Sequence, residues 1–237
     1  MNIIPEPLAH RRAVRSFVRR QGRTTPAQRT AISNYWDHFG LDDASRDWST
    51  VFGRTTFPYM EIGFGMGDAL LSFASRYPER DFLGVEVYEP GIGRVLSALA
   101  SKGLSNVRII REDAVEVLAR FVADSSLAGV FVFFPDPWPK KRHHKRRLIQ
   151  PEFVAQVGAK LRPAGVFELA TDWAHYAQQM LEVIDANPLF HNTAGPGCFY
   201  RGESLRPVTK FERRGIGLGH QVWDLKYARV HNSVHDA

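Results

Sequence analysis

A doubly wound α/β fold with a mostly parallel sheet is the class this 237-residue sequence predicts. Three observations carry it. From Pro58 onward, short apolar runs alternate with stretches of helical periodicity, the pattern of parallel strands joined by crossover helices. The fourth run, GVFVFF at 129–134, is almost wholly apolar, as a central strand covered on both faces must be. The first run ends in glycines just before a helix, the place where open α/β sheets turn over a ligand.

The elements follow in order. YMEIGFG, from Tyr59, holds the first strand, and Asp68–Tyr77 is a helix whose Asp68 is placed to cap its first turn. DFLGVEV is the second strand. Pro90–Lys102 is a helix with proline near its start and Gly103 just past its end. NVRIIRED is the third strand and Ala114–Val122 its helix. After the fourth strand, a proline-rich loop and a basic run lead to a helix near Pro151–Leu161, a fifth strand GVFELAT, and a helix over Trp173–Ala186. VTKFERRGIGLGHQVWDLKYARV reads as two strands around a glycine-rich turn, a C-terminal antiparallel hairpin. Residues 1–57 show no clear strand pattern. Val14, Phe17 and Val18 fall at helical spacing within RRAVRSFVRR, and QGRTTPAQ breaks the pattern. We read 1–57 as a basic, partly flexible N-terminal arm and 58–237 as the folded domain.

Composition narrows the function. The longest apolar stretch, near Ala128–Phe134, is far short of the roughly 20 residues of a membrane span. The N-terminus has prolines where a signal peptide needs an apolar helix. Cys198 is the only cysteine, which excludes an intramolecular disulfide and a cysteine-rich zinc site. A cytoplasmic protein is expected. The net charge of +6 is unevenly spread. Residues 1–30 hold seven arginines against Glu6, and KKRHHKRR at 140–147 has no acid. Two such clusters, with Tyr35, Trp36 and Trp138 as stacking surfaces, point to a phosphate backbone rather than to a merely solvated face.

Acids follow the strands at the edge where α/β sheets bind ligands. EIGFGMG places Glu61 before Gly63, Gly65 and Gly67, with Asp68 next. A dinucleotide fingerprint needs G-x-G-x-x-G, and an acid at the helix start repels a pyrophosphate. The loop therefore suits a cofactor without phosphates, such as S-adenosylmethionine. Glu86, after the second strand, can accept from ribose hydroxyls. Asp113, after the third, can accept from an adenine amino group or cap the following helix. The fourth strand ends in Phe134-Pro-Asp136-Pro-Trp138-Pro-Lys140, a stiff loop that holds Asp136 and Trp138 at the sheet centre.

Several segments together resemble the bacterial tRNA (guanine-N7)-methyltransferases. They are RSFVRRQGR ending at Arg23, EIGFGMG at 61–67, FPDPWPKKRHHKRR at 134–147, RPVTKFERRG at 206–215 and GHQVWDLKYAR at 219–229. The Pro-Asp-Pro-Trp-Pro-Lys loop and Thr-Lys-Phe-Glu are far more specific than a glycine loop. The resemblance implies a class I S-adenosylmethionine-dependent methyltransferase fold over 58–237. It also implies methyl transfer to N7 of a guanine in the tRNA variable loop, at tRNA position 46. Glu61, Glu86, Asp113 and Asp136 match cofactor positions, and Asp136 matches the catalytic position. Lys140, Asp172, Thr209, Lys210, Phe211 and Glu212 match tRNA-substrate positions. Arg142, His143, His144, Lys145, Arg146 and Arg147 match an RNA-contact segment. DHFG at 37–40 and DDASRDWST depart from the pattern.

Read from the residues, Asp172 is either a helix cap or a guanine contact. Trp138 and Phe211 both qualify as the ring that stacks on the base, and Arg206 and Lys210 as phosphate holders. No metal is expected, because His143 and His144 lie among cations. A nicotinamide-dependent oxidoreductase is disfavoured by Asp68 and the missing fingerprint. A non-catalytic RNA-binding protein on a methyltransferase scaffold is the alternative.

Overall fold

The computed structural model describes residues 23–42, 47–202, 206–207, 212 and 221–231. The strands β1 (Tyr59–Ile62), β2 (Phe82–Val85), β3 (Val107–Ile110), β4 (Leu127–Phe133), β5 (Leu161–Thr171), β6 (Phe190–Asn192) and β7 (Trp223–Arg229) form one sheet. Its order is β3-β2-β1-β4-β5-β7-β6. Neighbours from β3 to β5 are parallel, and β7 runs antiparallel to β5 and β6. The chain works outward from β1 to β3, then returns to place β4 on the other side of β1. That reversal is the switch point where such sheets open a crevice. Ile62 is in register with Val132, so the loops after β1 and β4 leave the same edge side by side.

Helices cover both faces. α1 (Pro26–Phe39), α3 (Asp68–Arg76) and α4 (Glu89–Lys102) bury one apolar cluster. α2 (Trp48–Phe52), α5 (Ala114–Arg120), α6 (Pro151–Lys160) and α7 (Ala174–Asp185) bury the other. Strand alternation divides β4 between the two. Phe131 joins the first cluster, with its ring 5.2 Å from that of Phe73, and Val130 and Val132 join the second. Among the described residues, no helix is long and apolar enough to cross a membrane.

The structure refines several expectations. The stretch read as an arm contains α1, which opens on a capping box of Thr25 and Gln28 with Pro26 in its first turn. α1 packs along α4, and its Phe39 is part of the core. Leu41 then donates its N–H to the Ile109 carbonyl at 2.8 Å, covering the outer edge of β3. The helix read around Phe17 lies outside the described residues. The antiparallel C-terminal region is present, but among the described residues β7 has β5 and β6 as its partners. The glycine-rich turn expected before β7 lies outside the described residues. Asp68 does not cap α3: the cap is Gly67, and the Asp68 carboxylate instead pairs with Arg94 at 2.8 Å.

Candidate active site

The loop after β1 is shaped by backbone conformation. Gly63, Gly65 and Gly67 have φ of +70°, +55° and +77°, values that side-chain-bearing residues rarely adopt. Glu86 fastens this loop to the end of β2. Its Oε2 accepts the Gly65 N–H at 2.8 Å, and its Oε1 accepts those of Val87 at 2.7 Å and Tyr88 at 3.0 Å. α4 closes against the loop from the other side. A Cβ at Gly91 would lie 1.9 Å from the Gly65 carbonyl oxygen, and Arg94 donates to the Met66 carbonyl.

Glu61, on β1 beneath this loop, is 4% exposed, and its Oε2 is buried without a hydrogen-bond partner. Burial, and then the negative charges of Glu86 and Asp68, push its carboxyl up to about 8. Such a group is satisfied by a cationic donor. Asp113, at the end of β3, accepts the Val115 N–H through Oδ1 at 2.9 Å and so caps α5. The three acids thus stand at the ends of three adjacent strands.

The loop after β4 is shaped differently. Phe134 donates its N–H to the Ala170 carbonyl at 2.8 Å, continuing the β4–β5 ladder for one step. Phe134 and Trp138 have φ of +53° and +44°. Left-handed backbone at two bulky residues is costly, and such strain gathers at functional sites. Half-buried Asp136 sits midway between them, and its charge helps raise the pKa of the Tyr176 hydroxyl, whose main cause is burial. The Trp138 ring carries the Arg146 guanidinium at 4.7 Å and meets the His143 ring edge-on at 5.8 Å.

Residues 141–146 form a 3₁₀ turn. Lys140, Lys141, Arg142, Lys145 and Arg146 are exposed, whereas His143 and His144 are half-buried. Partial desolvation, and then the surrounding cations, hold both histidines below their ordinary pKa. Arg147 departs from the expectation for this segment. It is 1% exposed, so its guanidinium is not available to a phosphate on the surface. Its Nε donates to the Pro137 carbonyl at 2.8 Å, and its Nη1 bonds Gln179 and His175 on α7.

Past β5, half-buried Asp172 is followed by Trp173, which is the N-cap residue of α7. The Trp173 N–H bonds Thr171 Oγ1 at 3.2 Å, and its side chain is 40% exposed. The cap reading of Asp172 is therefore corrected, since α7 begins one residue later. Arg206 holds no surface phosphate. It is buried, with Glu212 on Nη1 and Nη2 and Asp224 on Nε at 3.0 Å. Glu212, expected among the substrate contacts, is buried in that ion pair. Thr209, Lys210 and Phe211 lie outside the described residues.

Sequence reasoning passed over Gly91, Trp173 and the internal role of Arg147. Gly91 directly follows a helix-starting proline, where a glycine has no capping use. Trp173 follows an acid at a strand end. Both patterns were readable. Nothing local distinguishes Arg147 from the arginine before it.

The sequence and the fold match known proteins. A methyltransferase family model, Methyltransf_4, matches residues 56–225. The tRNA (guanine-N(7)-)-methyltransferase of Paraburkholderia xenovorans (strain LB400) is 53% identical over 95% of this chain and 86% of its own length. The enzyme of the same name from Leifsonia xyli subsp. xyli (strain CTCB07) is 52% identical over 94% of this chain and 97% of its own. Among solved structures, the 16S rRNA methyltransferase KamB covers 81% of this chain and 96% of its own, with a TM-score of 0.58 at 14% identity. That likeness is one of fold.

Proposed function

The chain belongs to the tRNA (guanine-N7)-methyltransferase family, and we propose that it methylates N7 of the guanine at position 46, in the tRNA variable loop, using S-adenosylmethionine. One observation carries the reading. The glycine loop and the Asp136 loop leave adjacent strands at the switch point, and the Asp136 loop runs straight into the exposed basic turn. A cofactor edge, a side-chain-presenting loop and a phosphate-binding surface are thereby contiguous.

The residues fit the cofactor. The unpartnered Glu61 oxygen suits its ammonium, the left-handed glycines admit close backbone approach, and Glu86 and Asp113, after the two neighbouring strands, are our candidates for the ribose and adenine acceptors. When bound, S-adenosylmethionine supplies an electrophilic methyl on a sulfonium sulfur, and guanine N7 takes it through a free lone pair. The chain therefore has no proton to remove from N7, and its work is alignment and electrostatics. Asp136 accepts from the guanine Watson–Crick edge, and its charge favours the cationic product base. Asp172 is the second candidate for that edge. The base must be unstacked from the tRNA to enter. Exposed Trp173 offers it a plane that Trp138, already covered by Arg146, does not. Lys140, Arg142, Lys145 and Arg146 hold the tRNA backbone. A cytoplasmic location follows from the substrate.

The test is transfer of labelled methyl to unmodified tRNA, mapped by the chemical lability of N7-methylguanosine. Label at a single variable-loop guanine is the expected result. A protein that binds the cofactor and tRNA but transfers nothing would instead be an RNA-binding scaffold.

A further inference from the structure

Arg147 is the last residue of the basic run, and its surroundings are unlike those of its exposed neighbours Lys145 and Arg146. Its guanidinium is spread over two elements. Nε binds the carbonyl of Pro137, the residue after Asp136, at 2.8 Å. Nη1 reaches Gln179 Oε1 and His175 Nδ1, the latter at 3.1 Å, both on α7. The plane lies 4.7 Å from the centre of the Tyr176 ring. Tyr176 is itself fixed, its hydroxyl accepting the Ile149 N–H at 3.1 Å. Arg147 Nη2 is buried with no acceptor. A buried cation with an unpartnered nitrogen is a poor device for stability alone. It is a good device for holding two elements at a set separation.

Those two elements are the ones that present the acids proposed for guanine. The Pro137 carbonyl belongs to the strained loop of Asp136. The first turn of α7 carries His175, two residues beyond Trp173 and three beyond Asp172. Phe133 and Ala170 are in register, so Asp136 and Trp173 each lie three residues past the same rung. The ladder bond from the Phe134 N–H to the Ala170 carbonyl carries the pairing one step beyond that rung, and Arg147 links the two segments again further out, at Pro137 and His175.

We propose that Arg147 is a positioning residue: it clamps the Asp136 loop to the start of α7 and so sets the spacing of Asp136 from the Asp172–Trp173 turn, and it takes no tRNA phosphate. This rests on the reading of Asp136 as a guanine-binding group. A misplacement of about 1 Å costs on the order of 100-fold in rate, and that is the size of loss expected in kcat.

The experiment uses the full chain and compares Arg147→Lys, Arg147→Met, Arg142→Gln and Asp136→Ala. It measures kcat, KM for tRNA, and tRNA Kd across salt, with thermal melts to score folding. Lysine serves a phosphate as a point charge but cannot reproduce a guanidinium's fork. Arg147→Lys is therefore expected to lose kcat on the order of 100-fold while its salt slope stays that of the parent. Arg142→Gln is expected to show the opposite split, with its loss in tRNA affinity. Should Arg147→Met not fold, Arg147→Lys decides alone. Arg147→Lys with parental kcat overturns the clamp, as does Arg147→Met with parental kcat and a shallower salt slope. Full turnover by Asp136→Ala removes the guanine-site reading itself, a result separate from either Arg147 outcome.

Discussion

The two loops that meet at the switch point are held by opposite means. After β1, three glycines take left-handed backbone at little cost, and the loop is fastened through its Gly65 N–H to Glu86. After β4, two bulky residues take the same backbone region, and the loop is fastened through a carbonyl to a buried arginine. The first design leaves little side chain in the way, so a ligand meets main chain. The second sacrifices conformational ease to hold side chains at set positions. Under the function proposed above, one loop would meet a cofactor with its backbone and the other would aim a carboxylate at a base, and those two tasks call for these different constructions.

The comparison breaks most sharply at Asp136. Asp136→Ala leaves the loop's proline frame intact but removes the group it aims. We expect kcat to fall by about 100–1000-fold, the cost of losing one aligned electrostatic partner, while cofactor Kd changes far less. Single-turnover methyl transfer alongside cofactor titration checks the split. An equal loss in both would make Asp136 part of the glycine-loop half instead.

The glycine-loop half breaks at Gly91. Glycine to alanine inside a helix ordinarily stabilises by up to about 1 kcal/mol. At Gly91 the sign reverses, because the new Cβ would lie 1.9 Å from a backbone oxygen of the loop. Overpacking of this kind costs about 1–3 kcal/mol, and here the atom displaced belongs to Gly65. Gly91→Ala is expected to lower the melting temperature and weaken cofactor binding together. A more stable variant with unchanged binding would show that α4 does not brace the loop.

Glu61 sharpens the contrast between a satisfied and an unsatisfied acid. Glu86 has three backbone donors, whereas Glu61 Oε2 has none. With its folded pKa raised from 4.5 to about 8, the folded protein holds a proton that the unfolded chain has released. Stability therefore falls as pH rises across that window and levels off above it. Glu61→Gln removes the slope. Its melting temperature should exceed the parent's at pH 8 by more than at pH 5, and it should bind the cofactor more weakly. Cofactor binding to the parent near pH 7 should release a proton, measured by calorimetry in buffers of different ionisation enthalpy. Binding without proton release would mean that Glu61 does not change its charge when the cofactor binds.

Which parts of this were legible follows from the range of each interaction. The parallel strands and their helices were readable because apolar periodicity, Pro90 and Gly103 are local signals. The acids at the strand ends were readable for the same reason. The role of Arg147 was not, since its partners Gln179 and His175 lie 32 and 28 residues away. The Arg206–Glu212 pair looked like surface chemistry because burial is a property of the packed sheet edge, not of the tripeptide around each residue. The membership of α1 in the body was hidden by its weak amphipathicity: it buries only Ala31 and Phe39 fully.

The smallest expected effect lies on the rim of the second loop and completes the comparison. Arg142 is exposed on the 3₁₀ turn, five residues past Pro137, whose carbonyl Arg147 binds. If its charge meets one phosphate, Arg142→Gln releases about one fewer counterion. The slope of log K against log salt should then fall by about 0.7–0.9, the lower value applying to a single-stranded contact. Affinity falls at low salt and converges with the parent at high salt, because only a screened term has been lost. Filter binding of tRNA across a salt series checks this. A parallel offset at every salt concentration would mean that Arg142 makes a short-range contact, and the turn would then belong with the side-chain-aiming half of the site.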